Sequence, residues 1–331
     1  MAKAIGGPLP PAPGQGSPVT WATILRQPSP WYASADAKAV AETVRASQRA
    51  TGGWPKNTDW TALQSDAERQ ALRNARAETD STIDNGATVT ELRFLTRVYV
   101  ATRDELLREA VLRGLDYLLA SQYSNGGWPQ YFPLRTDYSR DITFNDDAMT
   151  GVVLLLKDAA DGSAGFEFVD KARRDRAAAA VTRAIAVILR TQIRVNGTLT
   201  GWCQQYDADA LTPARGRSYE HPSIASRETV GIARLLMGVP NPSPEIVAAV
   251  DAAAAWLGKS ELKGVPEATA PGLWARFYDI ATNRPIYSGR DGVIKYRLDE
   301  IELERRTGYS WVGPYAAAFL TTEYPKWRAA R

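Results

Sequence analysis

Apolar residues recur at three- and four-residue spacing along most of the chain, the period of helices that bury one face. The pattern predicts helices over 36–49, 65–77, 85–101, 104–121, 146–160, 168–193, 226–237, 244–257 and 313–330. Alternating strand patterns are scarce. Short connections join 85–101 to 104–121, 146–160 to 168–193, and 226–237 to 244–257, which predicts three antiparallel helix pairs. Residues 1–33 begin with a Pro/Gly-rich stretch and read as an arm, mobile or lying on the surface, ahead of a single domain over 34–331.

The long loops repeat as well. Trp54 in TGGWPKN, Trp128 in NGGWPQY, Trp202 in TGWCQQY and Trp274 in PGLWARF follow one another at 74, 74 and 72 residues. A fixed period of this size marks a repeat architecture, here a helix pair plus a long loop. Each loop leaves one helix and enters the next, so all four belong on one side. The first helix lacks a predecessor and the last a successor. Pairing those two closes the row into an all-α fold, an (α/α) toroid of helical hairpins whose long irregular loops form a groove on one face. In GGWP, glycine ends a helix, proline turns the chain, and an indole is presented at the rim of the groove. The equal alternative is that the tryptophans plug the inside of the ring.

Composition narrows the function classes. The chain has 331 residues, 44% hydrophobic and 23% charged, with a net charge of +3, ordinary globular material able to bury a sizeable core. No apolar run approaches the roughly 18 residues of a membrane span, and the opening segment lacks the apolar middle of a signal peptide. One cysteine, Cys203, excludes an internal disulfide framework and a multi-cysteine metal site. Without a run of Lys/Arg or a nucleic-acid module, nucleic acid is not an expected partner.

The candidate chemistry lies in carboxylates, cations or a bound ion. The single histidine, His221, gives no nucleophile–base pair, and HExxH, P-loop, GxSxG and GxGxxG motifs are absent. Acidic residues gather at helix starts: Asp84 and Asn85 in STIDNGAT, and Asn145, Asp146 and Asp147 in TFNDDAM. Such residues serve as N-caps or as the hard oxygen ligands of Ca²⁺. Basic residues occupy the loops: Lys56 after Trp54, Arg215 and Arg217 after Trp202, and Arg290, Lys295, Arg297, Arg305 and Arg306 ahead of the last helix. Guanidinium forks in glycine- and aromatic-rich loops suit carboxylates. Together they point to an anionic polysaccharide.

Seven stretches in this order, GGWPKN, STIDNGATVTELRFL, NGGWPQYFP, ITFNDDAM, WCQQYD, RSYEHPSI and FYDIATNRPIYSGRDG, resemble the family 10 polysaccharide lyases, which are pectate lyases. The resemblance runs from about residue 36 to 325, with His221 standing where a small apolar residue is expected. It implies Ca²⁺-dependent β-elimination on polygalacturonate, with an arginine taking the C5 proton; Arg217 of RSYE matches that position. Asp84 and Asp146 match the acidic positions of the calcium and substrate site. Lys56, Arg290, Arg305 and Arg306 are the implied carboxylate binders, with Asn85, Asn145, Trp54, Trp128 and Tyr309 as further substrate contacts. The resemblance also implies a secreted protein, and a monomer is expected. Two other readings use the same residues: an inverting glycoside hydrolase with Asp84, Asp146 or Glu220 as acid and base, and a binding protein without turnover.

Overall fold

Helices account for about half of the computed structural model, which describes residues 19–62 and 65–331. Ten α-helices occur among them: α1 Ala35–Ser47, α2 Asp66–Asn74, α3 Val89–Thr102, α4 Glu105–Ala120, α5 Ala148–Asp161, α6 Lys171–Thr191, α7 Ser226–Met237, α8 Pro244–Lys259, α9 Leu303–Gly308 and α10 Tyr324–Ala329. The chain divides into two units. The first holds the described residues up to Arg135 together with Gly151–Ala184, and the second holds Thr136–Thr150 with Ile185–Arg331.

In the first unit, α3 and α4 pack as a hairpin. Their contact comes from the predicted stripes: Leu92, Leu95 and Val98 on one helix and Leu107, Val111, Leu115 and Leu118 on the other are all buried. Asp104 caps α4 by accepting a hydrogen bond from Leu106 N. Residues 1–18 of the expected arm lie outside the described residues. The rest of it forms two 3-10 helices, Trp21–Arg26 and Ser29–Ala33, which lie on α3. Tyr32 Oη donates to Ile24 O at 2.9 Å and accepts from Arg97 Nη1 at 2.7 Å.

In the second unit α7 and α8 form the equivalent hairpin, with Ser243 capping α8 and Pro244 at its first position. The strands found among the described residues also lie in this unit. Ile142–Thr143 pairs with Gln205–Tyr206, Trp274–Ala275 with Val312–Gly313, and Ile224–Ala225, Phe277–Tyr278, Pro285–Ser288 and Ile294–Lys295 form an antiparallel sheet in that order. These strands run for two to four residues, too short to display a two-residue period.

Several boundaries differ from the sequence pattern, and two of the differences bear on the site and on the end of the chain. The helix expected over 313–330 starts late, because Gly313 belongs to a strand and Pro314 follows it. A π-helical turn, Phe319–Glu323, then leads into α10. This segment packs on α7 and α8: Glu323 pairs with Arg234 at 2.6 Å, Tyr324 Oη donates to Asp251 at 2.9 Å, and Trp327 Nε1 donates to Met237 O at 3.0 Å. The helix expected from 85 starts at Val89, after a separate 3-10 turn, Asp84–Gly86, in which Asn85 takes a positive φ of 53°, and after Thr88 at φ 63° in the N-cap position. That turn carries Asp84.

The tryptophan repeat proves structural. Trp54, Trp128 and Trp202 are fully buried and Trp274 is 3% exposed, so Trp54 and Trp128 are not rim residues offered to a ligand. Each indole N–H donates to a carbonyl in the last turn of the preceding long helix: Trp54 to Val44 O (2.7 Å), Trp128 to Leu118 O (2.8 Å), Trp202 to Ile188 O (2.7 Å) and Trp274 to Leu257 O (2.8 Å). Last-turn carbonyls are short of backbone partners; a fixed indole adds one, beside bonds such as that from Ser47 Oγ to Val44 O at 2.8 Å, while filling the space behind it. A glutamine repeats alongside. Gln48, Gln122 and Gln192 each use one amide nitrogen to bridge a loop carbonyl and a carbonyl of α4, α6 or α8, at Ala110, Ala180 and Ala249 respectively.

Gly126 shows how tightly the loop is drawn in. Its φ is +103°, and a Cβ there would lie 2.2 Å from Arg183 O. Gly197 has a comparable φ of +80° with nothing within 4 Å. Gly197→Ala is expected to cost about 1 kcal/mol, the penalty of a left-handed L-residue, and Gly126→Ala clearly more, because the backbone itself must move. Thermal melting of both variants checks this; equal losses would mean that the close approach carries no stability.

Candidate active site

Each unit carries a polar cluster on loops anchored by the buried tryptophans. In the first unit, the stretch before α3 is knitted between two of the Gly–Trp loops. Thr82 N donates to Trp54 O at 3.0 Å, and Ile83 N and Thr82 Oγ1 both donate to Gln130 O, at 3.0 and 2.5 Å. This holds Asp84 beside Lys56, whose Nζ lies 2.5 Å from Asp84 Oδ2. Burial draws the Lys56 ammonium down, but Asp84 outweighs it and the group is held above its usual range. Lys56 lies 5.6 Å from the centre of the Tyr131 ring, and the Arg135 guanidinium stacks on that ring at 3.4 Å. Asn85 Nδ2 donates to Asn57 Oδ1 at 2.8 Å. The N-cap position of α3 is Thr88, so Asp84 stands outside the helix start.

The second cluster is a continuous network. Asn145 and Asp146 occupy a 3-10 turn before α5, with Asp146 at φ 48°, an uncommon left-handed conformation for a residue with a side chain. Asp146 pairs with Arg227, and the Arg276 Nη2 group lies 3.4 Å from its Oδ1. Burial pushes the Asp146 carboxyl up, yet Arg276 and Arg227 hold it below the ordinary carboxylate range. Arg276 Nη2 also donates to Asn145 Oδ1 at 3.2 Å and to Glu228 Oε1 at 2.5 Å. Asn145 in turn accepts from Gln204, whose Nε2 lies 3.3 Å from Glu220 Oε1.

Glu220 ends the network at Arg217. The guanidinium is bidentate on it, at 2.9 and 2.5 Å, and the Arg217 backbone N–H adds a third bond at 2.9 Å. Tyr309 Oη donates to the same carboxylate at 2.9 Å. Arg217 also lies against the rings of Tyr219 and Tyr309, at 4.9 and 5.5 Å. Burial disfavours the charged guanidinium, but Glu220 reverses this and raises Arg217 well above its usual range. Burial likewise lifts Glu220 while Arg217 lowers it more, so the carboxylate stays ionised. The resting pair is a locked ion pair.

Two of the remaining predicted cations share one acid. Arg290, which is exposed, and Arg305, which is 8% exposed, both grip Glu304, and hydrogen bonds from Arg305 and Arg290 lower that carboxyl to about 2. Arg306 Nε is buried without a partner among the described residues. His221 is structural: Arg215 donates to its Nδ1 at 2.9 Å, which leaves Nε2–H to donate to Ser288 Oγ at 3.1 Å. Burial and Arg215 depress its pKa, so it ties the Arg217 loop to strand Pro285–Ser288 as a neutral ring.

Sequence reasoning passed over Arg227, Arg276, Glu228, Gln204 and Arg135. A signal for Arg276 was present: WARFY places a guanidinium inside an aromatic run, where a charge requires a buried partner. Its partner is 48 residues away, and one-dimensional spacing does not reveal it.

The sequence matches the family described as Pectic acid lyase over residues 48–320. No curated protein matches the chain. Among solved structures, the family 10 polysaccharide lyase of Cellvibrio cellulosa is similar, with a TM-score of 0.79 and 34% identity over 92% of this chain and 95% of its own. An aspartate-to-alanine mutant of that lyase, in complex with trigalacturonic acid, gives a TM-score of 0.80 and 34% identity over 92% and 96%. With the family matched across most of the chain and both loop clusters inside the matched span, this protein is a family 10 polysaccharide lyase.

Proposed function

We propose that the protein is a pectate lyase that cleaves polygalacturonate by Ca²⁺-dependent β-elimination outside the cell. What carries the reading is the related lyase's complex with trigalacturonic acid, at 34% identity over 92% of this chain. The C5 proton of a galacturonate unit lies α to a carboxylate and becomes acidic only when that carboxylate is neutralised. Lys56, Arg290, Arg305 and Arg306 are the proposed carboxylate binders, the arginines sharing their forks between Glu304 and the sugar acid. Arg217 takes the C5 proton, the electron pair forms the C4=C5 bond, and the C4–O4 bond breaks with the proton returned to the departing oxygen. For this, Arg217 must leave Glu220 as substrate enters and give up one of its own protons to solvent, since a protonated guanidinium, paired or free, has no lone pair to offer.

The donors available to Ca²⁺ fit it in kind and fall short in number. Asp84 with the Asn85 amide in the first unit, and Asp146 with the Asn145 amide in the second, each provide hard oxygens, against the six to eight that the ion takes. Among the described residues no group of three or more His, Cys, Asp or Glu side chains is placed to hold a metal, and Asp84 and Asp146 are already paired with cations. Asp84 and Asp146 are therefore each proposed as a Ca²⁺ ligand that needs substrate oxygens to complete the coordination. When bound, Ca²⁺ supplies the charge that neutralises the substrate carboxylate.

The hydrolase alternative requires an acid with a raised pKa; Asp146 and Glu220 are both held low. Ultraviolet absorbance decides between the readings. A lyase makes a conjugated unsaturated product from polygalacturonate, a hydrolase a saturated one, and a binding protein neither. Cleavage without new absorbance would overturn the proposal.

A further inference from the structure

We propose that Arg276 is a positioning residue of the lyase reaction, gripping Asn145 and Asp146 from the buried side while Glu228 fixes its guanidinium. The inference rests on the reading above that Asp146 works on substrate, and goes beyond it by naming what holds Asp146 in place. Arg276 is fixed at both ends. Its backbone N donates to Trp311 O at 2.7 Å and its carbonyl accepts from Ser226 N at 2.8 Å, so the side chain starts from a rigid point. At the far end Nη2 is drawn to Glu228 Oε1 at 2.5 Å, and the guanidinium lies 4.9 Å from the centre of the Tyr309 ring.

That single Nη2 group is shared among Glu228, Asn145 and Asp146, while Arg276 Nε and Glu228 Oε2 are buried without partners among the described residues. Arg276 and Glu228 are each 3% exposed. A buried pair with two unmet polar atoms is a poor source of stability, because desolvation offsets most of its attraction. What it accomplishes is directional. Asp146 sits in a left-handed turn that nothing in its own backbone favours, and its carboxylate retains 27% exposure. Arg276 from the buried side and Arg227 from the first turn of α7 together fix where that exposed carboxylate points.

The test uses full-length Arg276→Met and Arg276→Lys with Ca²⁺ and polygalacturonate. Lysine keeps the charge but is shorter and lacks the fork. Arg276→Met is expected to lose about 10- to 100-fold in kcat, the range for outer partners of a ligand, with KM near wild type. Arg276→Lys should recover part of the rate. A variant that melts lower but keeps wild-type kcat would overturn the proposal, since that is what a merely structural role does. If Arg276→Met does not fold, Arg276→Lys decides: reduced kcat at unchanged KM supports it, and wild-type kcat refutes it. If the wild type itself makes no unsaturated product, the functional reading falls. The positioning claim then rests on a crystal structure of Arg276→Lys, in which a displaced Asn145–Asp146 turn supports it and an unchanged turn ends it.

Discussion

Arg217→Lys is expected to lower kcat on polygalacturonate by about 100-fold or more while leaving KM near wild type, the scale on which a positioned acid–base group acts. The lysine retains a positive charge, so long-range attraction to the polyanion survives. It cannot reproduce the two-point bond to Glu220, at 2.9 and 2.5 Å, nor place a nitrogen where the guanidinium reaches. A residue that merely grips the substrate would raise KM instead. Glu220→Gln sharpens the test. Glu220 holds Arg217 protonated; a neutral amide removes that influence, so the Arg217 pKa falls. If Arg217 is the base, the rising limb of the pH–rate profile should then move to lower pH, even as the maximum rate drops from lost alignment. Near wild-type turnover in Arg217→Ala would exclude Arg217 and move attention to Lys56 or Arg290.

The second large effect concerns the metal and Asp84. Chelation is expected to abolish product formation and added Ca²⁺ to restore it. Asp84→Ala and Asp84→Asn should each lose most of the kcat under saturating Ca²⁺. Both also remove the counter-charge of Lys56, which is 30% exposed. The accompanying stability loss should therefore be modest, on the order of 1 kcal/mol, because solvent screens the freed ammonium. Melting curves recorded beside the assays separate the roles. Lost rate with a small drop in Tm marks a working ligand. A large drop in Tm with unchanged kcat would make the Lys56–Asp84 pair a structural tie, and full activity in chelator would end the calcium reading.

Much of this was legible in one dimension because it is local or periodic. The stripes of α3, α4, α7 and α8 follow from spacing that one buried face imposes, and Asp104 and Ser243 cap the starts of α4 and α8. The tryptophan period revealed the repeat of helix and loop. It did not reveal the role of the indoles, since a buried cap and a rim platform have the same sequence. Only packing decided that Trp54 and Trp128 face inwards, onto the carbonyls of Val44 and Leu118. The same division applies to the charges. The sequence located Asp84, Asp146, Lys56 and Arg217 by motif, but not the partner each one meets. For Lys56 and Asp146 that partner lies 28 or 81 residues away, at Asp84 and Arg227. For Arg217 it lies three residues on, at Glu220, where spacing alone does not say that the two side chains meet. Arg276 is the clearest case. Its residue type and aromatic setting are in the sequence, but its hold on Asn145, Asp146 and Glu228 exists only once strands too short to leave a pattern have brought distant segments together. Helices arise from interactions three and four residues apart and are written along the chain. Charge networks in loops arise from the chain returning on itself, and only the tertiary structure decides them.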